Sequence, residues 1–315
     1  MNSRSSRELT AAQTEFLGLL DRCALPLMAA PMFLVSGPDL VIACARAGVI
    51  GSYPAANARS IEVLDEWLRR TVEGIAQVGR EMPFALNMIV HSTYDRFDRE
   101  LALVQKYRPR IVSTALGSPK RVLAQVHDYG GIVVADVTSP TQARKAGDAG
   151  ADVLILVAHG AGGHTGQYNP FAFIAEVREF WPGPLGLAGA ISTGRDIRAA
   201  QLLGADFVVA GTRFIAATES LAAPEYREML VQSWLEDLIA TKAVSGVEAN
   251  WLKPTLEAAG YVGELLQQQS RIDFSGDLAA GKKAWKDVWS AGHGVGGVRE
   301  VANTQAIVTG LHASY

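Results

Sequence analysis

Cysteine is scarce in this chain: 315 residues contain two, Cys23 and Cys44. Neither has metal-ligand spacing or a close histidine neighbour, so both read as small apolar packing residues in a reducing compartment. No apolar stretch reaches the roughly 18 uninterrupted residues of a membrane span, which argues against a membrane protein. The N-terminal "MNSRSSRELTAAQTEFLGLLDR" lacks a long apolar segment followed by a small-residue cleavage site, and a cytoplasmic protein is expected. There is no dense Lys/Arg stripe, and the formal net charge is −3, so nothing marks a nucleic-acid backbone as partner. The pair Arg69-Arg70 reads as the solvated face of a helix. No His-x-x-x-His pair stands near an acid, and no metal site is expected.

What the chain has in quantity is short apolar runs bounded by glycine or proline. Eight occur: "PLMAAP" from 26, "GVIGSYP" from 48, "PFALNMIV" from 83, "RIVSTALG" from 110, "GIVVADV" from 131, "DVLILVAHG" from 152, "PLGLAGAI" from 184 and "FVVAGTRF" from 207. They are continuously apolar, as parallel strands covered on both faces are, and the spacers are long enough for crossover helices. "IACARAGVIGS", "ARKAGDAGADVLIL" and "RAAQLLGADFVVAG" repeat one device, a helix stopped by glycine that leads into a strand. Eight such units predict an α/β fold, a closed (β/α)8 TIM barrel, over an open doubly wound sheet, because no Gly-x-Gly-x-x-Gly follows the first strand. After residue 220 the apolar spacing turns helical and no strand signal appears. The expected organisation is a barrel core over 1–220, a helical insertion over 221–285 placed to cover the site as a lid, and a C-terminal helix within 286–315 that returns to the barrel.

In a barrel, function sits on the loops at the C-terminal ends of the strands. "AAPM" (29–32) closes the first run, either as an ordinary turn or as a place where backbone approaches something flat or bulky. Asn87 lies inside "FALNMIV", where a buried amide needs hydrogen-bond partners, from a ligand or a neighbouring loop. "LAGAIST" (187–193) and "VVAGTRF" (208–214) end adjacent strands with glycine-bearing turns, the usual phosphate position of barrels. "HGAGGHTG" (159–166) ends the sixth run. Its glycines permit close approach of a planar ligand, and His164 is the candidate proton acceptor; His159, nearer the strand body, reads as structural. His91 follows the third run and can face the site, His293 lies in "WSAGHGVGG", and His127 and His312 read as exposed helix residues.

These motifs, in this order, resemble the nitronate monooxygenase family, formerly called 2-nitropropane dioxygenases: "AAPM", "ALNMIV", "AGGHTG", "LAGAIST", "AGTRF" and the late "DVWSAGHGVGGV". The resemblance covers most of the chain and implies an FMN-binding TIM barrel with a smaller helical substrate domain. By position it implies that Ala30 and Met32 lie against the flavin and that Asn87 hydrogen-bonds it. Gly162 and Gly163 make room for the ring, and Gly189, Ala210, Gly211 and Thr212 hold the rest, with the phosphate at the seventh and eighth turns. His164 matches the family's proposed base. The chain departs from the family in three places. Val157-Ala158-His159-Gly160 replaces a frequent Gln-Gly-x-Glu, Asp136 stands near the flavin where some relatives carry lysine, and His293 replaces a polar or flexible residue. His159 and His293 are therefore the candidate substrate contacts.

The resemblance implies FMN-dependent oxidation of nitronates or nitroalkanes with O2, giving a carbonyl compound and nitrite. Two alternatives keep the flavin: NAD(P)H-dependent reduction of an enoyl thioester or quinone, and flavin binding without turnover. The expected partners are a small-molecule substrate and O2, and a homo-oligomer is left open.

Overall fold

Each of the eight apolar runs forms a strand in the computed structural model, which describes residues 8–268 and 285–315. The strands are β1 (Leu27–Ala29), β2 (Gly51–Pro54), β3 (Phe84–Ile89), β4 (Ile111–Ala115), β5 (Ile132–Val137), β6 (Val153–Val157), β7 (Gly163–His164), β8 (Leu185–Ala188), β9 (Phe207–Ala210), β10 (Leu238–Thr241) and β11 (Ala249–Leu252). Eight of them form one parallel sheet, ordered β1-β9-β8-β6-β5-β4-β3-β2. Its two ends meet: Met28 bridges Ile50, the Ala29 amide donates to the Ile50 carbonyl (2.8 Å), and the Ile50 amide donates to that of Leu27 (3.1 Å). That closure makes the sheet a barrel and removes the open-sheet alternative.

The barrel interior shows why the runs need no polar alternation. Met28, Ala85, Ile111, Val134, Ile155 and Phe207 pack inside it, while the other face of each strand packs under the surrounding helices. The helix Ala11–Asp21, begun by a Thr10/Gln13 capping box, pushes Phe16, Leu19 and Leu20 against the strand beginnings. Phe16 meets Phe207 with ring centroids 5.1 Å apart. This plugs the N-terminal end and leaves the C-terminal mouth for function. The repeated helix-stopping glycines behave as read: Gly48, Gly150 and Gly204 end their helices with φ of 83°, 105° and 111°, the left-handed conformation that favours glycine.

Beyond residue 220 the structure corrects the expectation of helices alone. The helices Pro224–Gln232 and Lys253–Ala258 are present, but β10 and β11 lie between them as an antiparallel pair, and β11 also pairs with β7. The physical reason is a partner distant in sequence: "LIAT" and "ANWL" form strands because β7 of the sixth barrel loop supplies a third edge, which local periodicity cannot register. Residues 269–284 of the expected insertion and 1–7 of the expected core lie outside the described residues. The helix Thr304–Ala313 packs on the barrel wall, burying Ile307, Val308 and Leu311. Among the described residues no helix is long and apolar enough to cross a membrane.

Candidate active site

Alternation along the strands sets the floor of the mouth. Because every second residue faces inward, the positions two beyond Met28, Ala85, Ile111 and Val134 are Ala30, Asn87, Ser113 and Asp136. Asn87 is buried and its amide donates to Ser113 Oγ at 3.0 Å, so the partner its burial demands comes first from the next strand. Asp136 has no such partner. Burial alone raises its carboxyl from 3.8 to about 7, with no hydrogen bond or ion pair among the described residues to hold it charged.

The loop after β1 is fastened from outside. Ser36 Oγ accepts from the Met32 amide (3.0 Å), and Asn57 donates to the Met32 and Ser36 carbonyls (2.9 and 2.8 Å) while accepting from the Leu34 amide (2.9 Å). This fixes Ala30 and Met32 beside Gly211, where an added Cβ would lie 3.4 Å from Ala30 Cβ and 3.5 Å from Met32 Sδ. Three of the residues singled out in the sequence thus converge on one wall. Asn57 was not among them; its signal, an asparagine closing the turn "PAAN" after β2, is weak by itself.

The stretch "HGAGGHTG" is no free connector. Its Gly163 and His164 pair with Asn250 and Ala249, the Thr165 amide donates to the Glu248 carbonyl (3.0 Å), and buried Asn250 donates to the Ala161 carbonyl (2.8 Å). Gly160, at φ 96°, brings its backbone under the His293 ring and accepts from the His293 amide at 2.9 Å. The Gly292 amide donates to Thr212 Oγ (2.8 Å), and Ser192 Oγ donates to the Gly294 carbonyl (2.5 Å). A Cβ on Gly162 would stand 2.8 Å from the Gly292 nitrogen and 3.3 Å from Thr212 Oγ. The turn His293–Gly297 therefore clamps the sixth, seventh and eighth barrel loops together.

Three histidines follow from this clamp. His159 and His293 stand edge to face with ring centroids 4.9 Å apart. Burial, then the neighbouring His159, lowers the His293 pKa. His164 is exposed yet surrounded by protein, and desolvation lowers its pKa as well. Its ring lies 5.5 Å from that of Trp285. Of the other histidines, His91, two residues beyond β3, hydrogen-bonds Thr93 in its own loop (2.8 Å), His127 pairs with Asp152 (2.8 Å) just before β6, at the opposite end of the barrel, and His312 is exposed on the C-terminal helix. No group of three His, Cys, Asp or Glu side chains suited to a metal occurs among the described residues.

The two turns read as a phosphate position differ in their free capacity. After β8, Gly189 adopts φ 138°, and Asp196 accepts from the Ser192 and Thr193 amides at 2.9 and 2.7 Å. The following helix thus neutralises its own N-terminus with a carboxylate. After β9, Ala210-Gly211-Thr212 opens the short helix Thr212–Ile215 and carries no carboxylate cap.

Residues 81–257 match the family model described as nitronate monooxygenase. The chain is 29% identical over 285 residues to a nitronate monooxygenase of Pseudomonas aeruginosa, covering 78% of this chain and 80% of that protein. It is 28% identical over 246 residues to the (3aS,4S,5R,7aS)-5-hydroxy-7a-methyl-1-oxo-octahydro-1H-indene-4-carboxyl-CoA dehydrogenase of Mycobacterium tuberculosis. That match covers 77% of this chain but 66% of the relative, just under two thirds of its length. The fold superposes on FabK from Thermotoga maritima with a TM-score of 0.78 at 24% identity, covering 95% of each chain.

Proposed function

The chain belongs to the nitronate monooxygenase family, and on that premise we propose that it binds FMN at the barrel mouth and oxidises a nitronate or nitroalkane with O2, giving a carbonyl compound and nitrite. What supports this reading is a wall poor in side chains, where Ala30 and Met32 meet Gly211, together with an imidazole, His164, on the glycine-rich sixth loop whose Gly162 packs against Thr212 of the turn after β9. Gly189, at a φ of 138°, holds a backbone conformation that favours glycine at the turn after β8.

Bound there, FMN would supply the two-electron acceptor, reoxidised by O2. Ala30 and Met32 would lie against the ring, with Asn87 donating or accepting at its edge from a position already braced by Ser113. In this reading Gly162 and Gly163 would pass beside the ring, and Asp136 would sit below it. The phosphate is best served by Ala210-Gly211-Thr212, with Gly189 alongside, since Asp196 already caps the other turn. His164 has its pKa lowered by desolvation, so near neutral pH its ring holds a free lone pair and can take the α-proton of a neutral nitroalkane. His159 and His293 are the substrate contacts of this reading, and the described part of 221–285 is its lid, since β11 holds the loop that carries the base.

His164→Ala tests the reading. Turnover of a neutral nitroalkane should vanish while the purified protein stays yellow; undiminished turnover refutes the base. A second reading draws on the CoA-thioester relative: NAD(P)H-dependent reduction of an enoyl thioester or quinone at the same flavin. Anaerobic mixing with NADH separates the two, because rapid bleaching of the flavin supports the reductase.

A further inference from the structure

Backbone pairing fixes where β7 runs, but it does not fix the His164 side chain. The imidazole has no hydrogen bond among the described residues, and the ring contact it makes is with Trp285. The two planes stand at 83° with centroids 5.5 Å apart, inside the range for an edge-to-face aromatic pair. Trp285 is braced from behind by Trp251, 4.3 Å away and fully buried, whose indole N–H donates to the Thr241 carbonyl of β10. Trp285 also holds a left-handed backbone, φ 67°, a conformation that costs a bulky residue energy and persists where surrounding structure enforces it. Beneath the indole lies Gly163, at φ 66°, where a Cβ would reach the indole edge at 3.5 Å. The base of the proposed reaction thus meets Trp285, which is itself backed by Trp251, both from outside the barrel.

We propose that Trp285 is a positioning residue for His164, holding the imidazole in one orientation and covering one edge of it. The proposal rests on the reading of His164 as the base. The charged groups on the packed elements do not supply the effect. Lys242 and Glu248 pair with each other near β11 (4.0 Å), Lys286 and Asp287 are exposed, and His159 faces His293. Desolvation is the cause of the lowered His164 pKa, and the indole is a large apolar group in contact with the ring.

The test compares wild type, Trp285→Leu and Trp285→Phe, each as the full chain as purified, by NMR titration of the imidazole carbon-bound protons, with His164 assigned by loss of its signal in His164→Gln. In the wild type His164 titrates below the ordinary histidine range. In Trp285→Leu it should return toward that range, and in Trp285→Phe, which keeps an aromatic edge, it should stay low. In parallel, kcat for a neutral nitroalkane should fall about tenfold in Trp285→Leu with KM little changed, and recover in Trp285→Phe. A His164 titration identical in wild type and Trp285→Leu overturns the proposal, as does equal loss in the leucine and phenylalanine variants. The titration needs no turnover, so a failure of the nitroalkane reading, seen as an active His164→Ala enzyme, is distinguishable from a failure of this one.

Discussion

Asp136→Asn should stabilise the flavin-free protein, and by an amount that depends on pH. Asp136 faces the barrel interior without a partner among the described residues, and burial raises its carboxyl from 3.8 to about 7. In the unfolded chain the carboxyl loses its proton near 3.8; in the folded chain it keeps it until about 7. Below the lower value both states hold the proton and nothing is lost. Between the two values the folded chain binds a proton that the unfolded chain has released, so stability falls as pH rises, and the loss is complete above about 7. A displacement of this size corresponds to about 4 kcal/mol at most. Asp136 retains some contact with solvent at the mouth, so we expect about 2 kcal/mol of it to appear between pH 5 and pH 8. Asparagine keeps the shape and removes the charge. Urea unfolding followed by tryptophan fluorescence, at pH 5 and at pH 8, should therefore show the variant's advantage over wild type growing by about that amount, with unchanged m-values. An advantage that does not change with pH would mean that Asp136 is ionised without penalty, and the account of the mouth as a desolvated site would fail.

Two glycine substitutions test the joints of the structure. Gly162→Ala places a methyl 2.8 Å from the Gly292 nitrogen; it should cost about 2 kcal/mol by overpacking, lower Tm, and release flavin absorbance on gel filtration, and full flavin retention would show that the clamp does not shape the cradle. Gly194→Ala drives a methyl into the Leu311 carbonyl and the Tyr315 amide, so the C-terminal helix must shift and thermal unfolding should begin several degrees lower; an unchanged melting curve would mean that this helix is not docked as described.

How much of this was legible depends on the range of the interaction responsible. The eight barrel strands were readable because burial on both faces writes itself into contiguous residues such as "VLILV", and the glycine stops were readable because Gly48, Gly150 and Gly204 each answer a local backbone demand. Asn87 stood out because a polar residue in such a run needs an explanation, although Ser113, its partner, is unremarkable in sequence and 26 residues away. Asn57, Ser192 and Asn250 fasten loops to residues 21 to 102 positions distant. A hydroxyl or an amide on a loop looks the same whether it faces water or a remote carbonyl, so nothing in the local pattern distinguishes them.

The strands after residue 220 belong to the same category, and they change the meaning of the glycine-rich stretch. Read alone, "HGAGGHTG" offers two histidines and room for a planar ligand. In the fold, two of its residues are a strand edge, and what lies on the other side of that edge is β11 with Trp251 behind it. A two-residue strand has no independent stability, because it fixes few backbone hydrogen bonds against the entropy of ordering. Its geometry therefore exists only while the segment after residue 220 is in place. The residue proposed as base is carried by a barrel loop but paired through β11 to the segment after residue 220, so the backbone of His164 is held by that segment. In this arrangement the glycines beside His164 are local, and the residues that hold it, Ala249 and Trp285, come from more than 80 positions away.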